Sequence, residues 1–205
     1  MILSDGTIKN YILNEKIKVI PAENEKLEDI LQNVACASFD LRLGNYFKVF
    51  PEGEKIVLDP FDKDLYKKVK MKEIYVPDDG KLILKPWQFV LWATKERIWL
   101  PDDIVARVEG RSSIARLGIL VHITWGFIDP GFWWRMPSTI TLEIKNVNNI
   151  SVALRPWMRI CQIAFELLNA PSEVPYYRKK SAKYNGQIKP KESLIHLDLE
   201  KNHEE

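Results

Sequence analysis

A long succession of short strand-like runs constrains the fold of this chain more than any other feature. From Ser38 to Leu167, apolar and polar residues alternate over short stretches, and residues typical of turns separate these stretches. Clear turn sequences are Pro-Asp-Asp-Gly at 77–80 and Asn-Val-Asn-Asn at 146–149. So many short strands predict a mainly β fold, a barrel or a jelly roll. The predicted strands are 38–43, 46–49, 55–58, 72–76, 82–84, 89–94, 104–109, 119–124, 139–145, 151–154 and 160–167.

Helical patterns are confined to the first part of the chain. Ser4 can cap a short helix in which Ile8 and Ile12 share a face. A short strand is predicted over 16–20, and a charged helix over 23–32. A few short helices are therefore expected beside the β structure.

Length and composition indicate a globular protein. The 205 residues fit a single domain, 1–205, and 46% of them are apolar and 28% charged. No apolar run approaches the roughly 20 residues that a membrane span requires, and the N-terminus lacks the pattern of a signal peptide. A net charge of +2 does not predict a nucleic-acid surface. We therefore expect a soluble, cytoplasmic protein that binds neither membranes nor nucleic acid.

The two cysteines, Cys36 and Cys161, are too few for a disulfide framework. Neither belongs to a C-x-x-C pair of the kind that binds zinc. We expect two buried free thiols, as is usual in a reducing cytoplasm.

Hydroxyls and arginines are concentrated in residues 109–118, where a predicted strand passes through a tight turn into a short helix. A glycine, which lets a backbone approach a ligand closely, precedes Arg111, Ser112 and Ser113, and Arg116 follows. Two hydroxyls beside the free amides of a helix start, flanked by arginines, form an oxyanion receptor of the kind that binds phosphate. The alternative is a capped helix with surface arginines, and the spacing does not decide between them.

Two carboxylates stand out further along the chain. Asp129 lies in Gly-Phe-Ile-Asp-Pro-Gly-Phe at 126–132, where it either caps a turn or binds a ligand. In the next predicted strand, a period of two places Glu143 on the face opposite Leu142 and Ile144. Glu143 is then either an exposed sheet residue or a carboxylate that points into a pocket.

The order of these blocks resembles the dCTP deaminase family, which is related in fold to trimeric dUTPases. The resemblance covers nearly the whole chain, with residues 22–33 and 60–81 matching least. Several blocks in the right order are more specific than any one of them. The matching blocks are 1–5, 38–44, 110–118, 128–132, 140–143, 175–176 and 183–187.

The resemblance implies a homotrimer of distorted β-barrels with active sites between neighbouring subunits. The implied reaction hydrolyses the exocyclic amine of dCTP and gives dUTP and ammonia. Magnesium would be bound through the triphosphate of the nucleotide. The C-terminal segment, about 171–205, would close over the active site.

Positions that match the family imply the catalytic residues. Glu143 would be the general base that activates water for attack on cytosine C4, and Ser112 and Arg116 would complete the deamination site from the adjacent subunit. Zinc-dependent deaminases carry H-x-E and P-C-x-x-C patterns, which this chain lacks. We therefore expect a zinc-independent reaction in which a carboxylate does the work of zinc hydroxide.

The same matching implies the substrate-binding residues. Arg111 and Ser113 would hold phosphates, and Asp129 would accept a hydrogen bond from the deoxyribose 3′-hydroxyl. The residues that would close over the base and the triphosphate are Tyr176, Lys183 and Gln187.

Two departures from the family pattern bear on the substrate. Trp125 stands where the family usually has a small residue in the nucleobase pocket, so its indole must point away, reshape the pocket or block it. Residues 133–138 lengthen the turn before the Glu143 strand, which predicts a subunit contact, a lid or a local apolar cluster. Gly126 and Phe127 resemble the bifunctional branch, in which dCTP is both deaminated and cleaved to dUMP and pyrophosphate.

These features leave several functions in competition. A dCTP deaminase that forms dUTP is the first, and a bifunctional deaminase or a dUTP diphosphatase is the second. In the dUTP diphosphatase, Trp125 would exclude the cytosine amine while Asp129 and Glu143 handle sugar and water. A catalytically silent nucleotide-binding trimer is a third. A nucleic-acid-binding barrel is disfavoured because the tryptophans do not alternate with a basic stripe.

Overall fold

Short strands dominate the structure. The computed structural model describes residues 1–23, 25–51, 57–60, 62, 64, 69–124, 126–132, 136–184 and 186–200. The helices are α1 (Asp5–Leu13), α2 (Leu27–Leu31), α3 (Ser112–Ala115) and α4 (Leu197–Glu200), with a 3-10 turn at Tyr176–Arg178. The prediction of a mainly β fold with a few short helices is confirmed. The strands are β1 (Lys18–Ile20), β2 (Val34–Ala35), β3 (Ser38–Val49), β4 (Lys72–Tyr75), β5 (Leu82–Leu84), β6 (Phe89–Thr94), β7 (Arg97–Trp99), β8 (Ile104–Gly110), β9 (Ile119–Leu120), β10 (Phe127–Ile128), β11 (Thr141–Asn146), β12 (Val152–Leu154) and β13 (Arg159–Leu167).

β3 joins the two halves of the main sheet. Its first half pairs with β2 and β13, and its second half pairs with β4 and β6. Gly44 lies between the halves, where a Cβ would be 3.0 Å from the carbonyl oxygen of Ala93, so a larger residue would push the strands apart. The prediction of separate strands over 38–43 and 46–49 is therefore wrong, because the chain bends at the glycine and the pairing continues.

The main sheet curls around a single apolar core. Its order among the described strands is β10-β8-β13-β3-β6-β11-β9, and Phe39, Phe47, Trp92 and Phe165 are almost completely buried inside the curl. The indole Nε1 of Trp92 donates a 2.9 Å hydrogen bond to the carbonyl oxygen of Gly44, so its polar atom is satisfied. The curled sheet has the form of a half-barrel and gives the rigid wall on which the candidate site is built.

A charged cluster lies inside the fold where β3 meets the turn between β6 and β7. Nε of Arg42 is 2.5 Å from Oε1 of Glu96, and its Nη1 is 2.6 Å from Oε1 of Glu25. Burial raises the pKa of Glu96, against the opposing effect of Arg42. Hydrogen bonds from Arg42 lower the pKa of Glu25. The guanidinium thus compensates two carboxylates that would be costly to bury alone.

Several predicted elements are shorter in the structure. The helix predicted over 23–32 is only α2, and the strand predicted over 16–20 is only β1. The strand predicted over 119–124 ends with β9, because the chain then leaves β11 and forms a loop. Residues 55 and 56 of the strand predicted over 55–58 lie outside the described residues, and 57–58 are not in a strand.

Two expectations about single residues need correction. Cys161 is buried as expected, but Cys36 is exposed in the turn between β2 and β3, so it is not a core thiol. Ser4 is the N-cap residue of α1, but its Oγ lies 3.2 Å from Oγ1 of Thr7 and caps no backbone amide. None of the described helices combines the length and the apolar character needed to cross a bilayer.

Candidate active site

A cavity of about 680 Å³ opens between β6, β11, β10 with its flanking turns, and the C-terminal segment. Much of its wall is apolar, with a few polar groups converging on the space. This combination of volume and lining is typical of a small-molecule site. The sequence-predicted site residues that line it are Phe127, Asp129, Glu143, Tyr176 and Gln187.

Glu143 reaches the cavity because of its place in β11. Leu142 and Ile144 are completely buried in the core, so the alternation of a strand puts Glu143 on the opposite face. There it lies across from Leu91 of β6 and lines the cavity beside Thr141. The structure therefore separates the two alternatives left by the sequence: this carboxylate faces a pocket.

The Glu143 carboxylate contacts His122, which the sequence pattern did not mark as a site residue. Nδ1 of His122 lies 3.1 Å from Oε2 of Glu143. Both atoms are buried, and neither has a well-aligned hydrogen bond within the described residues. The two atoms are therefore close enough for a hydrogen bond but poorly aligned for one. It becomes an ion pair when the imidazole carries a second proton.

Gly126 gives this histidine its space. A Cβ at Gly126 would lie 2.4 Å from the carbonyl oxygen of Val108 and 2.7 Å from Cδ2 of His122. Any side chain there would displace the backbone of β8 or the imidazole ring. The glycine also lets Phe127 pair with Arg107 of β8, which places the start of β10 at the cavity wall.

Asp129 faces the same cavity and is held by a lysine of the C-terminal segment. Nζ of Lys179 lies 3.3 Å from Oδ2 of Asp129. The following turn is closed by backbone, with the amide of Phe132 donating to the carbonyl oxygen of Asp129 at 3.2 Å. Because no described bond ties the carboxylate to its own turn, a ligand hydroxyl would compete only with Lys179 for it.

The C-terminal segment folds across the cavity of its own chain. Gln187 is 6% exposed, and its Nε2 donates a 2.9 Å hydrogen bond to the carbonyl oxygen of Thr139, just before β11. The amide of Thr139 in turn donates to the backbone oxygen of Gln187 at 3.1 Å. The amide of Tyr184 donates to the hydroxyl of Tyr176 at 3.2 Å. These bonds fix the residues that cover one side of the cavity.

The arginine and serine block lies elsewhere on the chain. α3 and its two cap residues do not line the cavity, and the predicted residues among them, apart from Arg111, are exposed: Ser112, Ser113 and Arg116. No side-chain hydrogen bond caps the start of α3, which differs from a capped helix, but Arg116 is exposed, as the alternative of surface arginines predicted. A second hollow of about 330 Å³ lies beside α3 and shares His122 with the main cavity.

The remaining predicted features are Lys183, Trp125 and the lengthened turn over 133–138. Lys183 forms an ion pair with Asp198 and does not line the cavity. Trp125 and residues 133–135 lie outside the described residues. Of the lengthened turn, Met136 is exposed and Ser138 is buried, where it pairs with Ile98 of β7.

The described residues contain no group of three or more histidine, cysteine, aspartate or glutamate side chains close enough to hold a metal ion.

A likeness to one solved structure agrees with the fold. The deaminase of 2′-deoxycytidine 5′-triphosphate from Agrobacterium tumefaciens superimposes with a TM-score of 0.58 and 24% identity. The match covers 81% of this chain, which spans 46% of the Agrobacterium chain. At this identity the likeness supports the fold alone.

Comparison with known sequences settles the family. A family model described as dCTP deaminase-like matches residues 2–168. The chain is 44% identical over 200 residues to a protein of Methanobrevibacter smithii named dCTP deaminase, dUMP-forming, with 97% of each chain covered. It is 43% identical to a protein of the same name from Dictyoglomus thermophilum, with 100% of both covered. It is also 41% identical to a protein of Thermomicrobium roseum named dCTP deaminase, with 97% of this chain and 96% of that one covered. The chain belongs to the dCTP deaminase family.

Proposed function

We propose that this enzyme converts dCTP to dUMP, with release of ammonia and pyrophosphate. The observation that carries the proposal is the Glu143 carboxylate in the wall of a cavity large enough for a nucleotide. The Methanobrevibacter and Dictyoglomus relatives are named for the dUMP-forming reaction and match the chain over nearly its whole length. They favour this second interpretation of the sequence over a deaminase that stops at dUTP.

The deamination would need one water molecule and one general base. Glu143 would accept a proton from a water molecule while the oxygen of that water bonds to C4 of the cytosine ring. The exocyclic nitrogen would take up a proton and leave as ammonia, and the C4 carbonyl of uracil would form. A nucleotide filling this largely apolar cavity would displace water from around Glu143, which would strengthen electrostatic interactions in the site.

The second step would cleave the phosphate chain. A second water would attack the α-phosphorus, the bond to the bridging oxygen of the β-phosphate would break, and pyrophosphate would leave. The overall balance is dCTP and two waters giving dUMP, ammonia and pyrophosphate. Magnesium bound to the triphosphate would neutralise part of its charge.

The remaining residues would position the nucleotide. Asp129 would accept a hydrogen bond from the 3′-hydroxyl once its ion pair with Lys179 has opened. Phe127 and Trp125 would border the base. Three residues of the C-terminal segment would close over the ligand: Tyr176, Lys183 and Gln187.

The arginine and serine block would come from a neighbouring copy of the chain. Arg111 and Ser113 would hold phosphates, and Ser112 and Arg116 would complete the deamination site. α3 lies outside the cavity of its own chain, and Ser112, Ser113 and Arg116 are exposed, which supports their supply to another protomer. We propose a homotrimer on this ground. The cytoplasmic location expected from the sequence is a separate prediction.

Separate measurement of the two products tests the proposal. The protein is incubated with dCTP or dUTP and magnesium, and ammonia and pyrophosphate are followed independently. We expect both products from dCTP. Ammonia alone would indicate a deaminase that stops at dUTP, the reaction suggested by the name of the Thermomicrobium relative. Pyrophosphate from dUTP, with no product from dCTP, would indicate a dUTP diphosphatase. The absence of both products with either nucleotide would indicate a silent nucleotide-binding trimer.

The variant Glu143→Gln links the reaction to the cavity. It keeps the size of the side chain and removes its basicity, so ammonia release should fall by about 100-fold or more, the scale of a lost general base. Thermal unfolding serves as the folding control. An unchanged rate of ammonia release would contradict the assigned role.

A further inference from the structure

A buried carboxylate near α3 holds two arginines side by side. Asp40 of β3 is 6% exposed, and its Oδ2 lies 3.5 Å from Nη1 of Arg111 and 3.6 Å from Nη1 of Arg159. Both distances end on the same oxygen atom, so the two guanidinium groups are close neighbours. The family resemblance implies a role for Arg111 and none for Arg159 or Asp40.

Strand pairing explains why the two arginines meet. Cys161 of β13 lies opposite Gly110 of β8, so the start of β13 and the end of β8 come together. Arg111 follows directly after β8, and Arg159 opens β13. A register shift between Arg159 and Cys161 marks a bulge in the pairing with β3. Bulges commonly re-aim a side chain, and here the side chain of Arg159 approaches Asp40.

The donors of both arginines are largely unused. Distances of 3.5 and 3.6 Å are ion-pair contacts longer than hydrogen bonds. Within the described residues, neither guanidinium donates a side-chain hydrogen bond. Their side chains are 33% and 45% exposed. The single negative charge of Asp40 thus faces the two positive charges of Arg111 and Arg159. Each guanidinium keeps N–H groups open to solvent, and their forked arrangement suits the oxygens of a phosphate.

We propose that Arg159 is a second arginine of the phosphate-binding surface and that Asp40 positions both arginines. The ligand class is the triphosphate of a nucleotide held in the cavity of a neighbouring copy. This rests on the proposed function. Arg111, Arg159 and the exposed hydroxyls of Ser112 and Ser113 then form one continuous surface. Two adjacent guanidiniums can bind a polyanion through several N–H donors at once.

The test compares Arg159→Ala with Arg159→Lys and with the control Arg155→Ala. Arg155 is an exposed arginine in the turn just before β13, and its Nη1 lies 3.4 Å from the backbone oxygen of Asp79. Arg159→Ala should raise KM for dCTP by about 10- to 100-fold, the scale of losing a charged hydrogen-bonding partner, and leave kcat nearly unchanged. The KM of Arg159→Lys should lie between those of the wild type and Arg159→Ala, because lysine keeps the positive charge and loses the forked N–H donors of the guanidinium. Arg155→Ala should match the wild type.

Inhibition by inorganic tripolyphosphate separates this proposal from the reaction itself. Arg159→Ala should weaken inhibition or binding by tripolyphosphate and leave the binding of deoxycytidine unchanged. A wild-type KM in Arg159→Ala would overturn the proposal, and so would a lower melting temperature with unchanged KM. If the wild type turned over neither nucleotide, the proposed function would fail, and tripolyphosphate binding would still decide this site. Equal binding by wild type and variant, or no binding at all, would then overturn it.

Discussion

At the scale of single residues, the contact between His122 and Glu143 bears directly on the role proposed for this carboxylate. A carboxylate that serves as a base must point its oxygen at the attacking water. Oε2 of Glu143 is buried 3.1 Å from Nδ1 of His122, which leaves Oε1 as the oxygen that can serve a ligand. We therefore predict that His122 positions Glu143 and that Glu143 is the group that touches the water.

Substitution of His122 tests this arrangement. We expect His122→Ala to lower kcat for ammonia release by about 10- to 100-fold, a part of the effect of losing the base itself. His122→Asn should retain more activity, because its amide nitrogen can occupy the position of Nδ1 and donate to Glu143. Both variants are measured over a range of pH with melting temperatures in parallel. Equal activity of the alanine and asparagine variants would contradict a positioning role.

The two cysteines should differ sharply in reactivity. Cys36 is exposed, whereas burial raises the pKa of the Cys161 thiol, so that little reactive thiolate forms. A thiol reagent such as DTNB should label one cysteine per chain in the folded protein and the second only after unfolding. Cys36→Ser should abolish the fast reaction. Two fast-reacting thiols in the native protein would show that the fold around Cys161 is wrong.

The sequence predicted the carboxylates of the site better than their neighbours. The period of a strand put Glu143 opposite Leu142 and Ile144, and the structure places it in the cavity wall. The alternation could not decide between pocket and solvent, since that depends on what covers the sheet. Contacts from distant segments, such as Lys179 on Asp129, depend on the path of the C-terminal segment and leave no local pattern.

At the scale of elements, the charged cluster around Arg42 ties β3 to the segment before α2. Glu25 is the partner that lies near the surface, and its lowered pKa means that the unfolded chain takes up a proton before the folded one as pH falls. Its stabilisation is therefore full at neutral pH and is lost as pH falls through the lowered pKa. The raised pKa of Glu96 has the opposite sign, because its contribution declines as pH rises from the unfolded-state value toward the folded-state value.

The variant Glu25→Gln isolates the first of these effects. We expect the free energy of unfolding to fall by about 1–3 kcal/mol at pH 7, because a partly buried ion pair is broken. The difference from the wild type should shrink at acid pH. Urea unfolding at several pH values measures both. The control is Glu23→Gln, an exposed neighbour that should stay within about 0.5 kcal/mol. A difference independent of pH would contradict the assignment.

Element boundaries show where local pattern stops being informative. The strand predicted over 82–84 has the bounds of β5, since turn residues flank a short apolar run on both sides. β2 and β7 were not predicted, because strands of two or three residues are too short to show alternation. The prediction divided β3 into two strands because a glycine in a strand usually signals a break. Here the glycine allows close contact with β6, which only the pairing reveals.

At the scale of the whole molecule, the family and the mainly β fold could be predicted from the order of the sequence blocks. The prediction of one domain over 1–205 and the trimer remain predictions. The structure of one chain separates the cavity with Glu143 from the surface with Arg116. Spacing along the sequence could not reveal this separation, because it depends on how α3 projects from the end of β8. The proposed site would therefore draw its residues from two chains.

Complementation between two inactive variants tests most directly whether the active site is shared between chains. Glu143→Gln and Arg116→Ala are each purified, then mixed and reassembled, and ammonia release from dCTP is measured. We predict that each variant alone is nearly inactive. Random mixing should restore about a quarter of the wild-type activity, because some interfaces then combine an intact Glu143 with an intact Arg116. A reassembled mixture as inactive as its components would contradict the shared site.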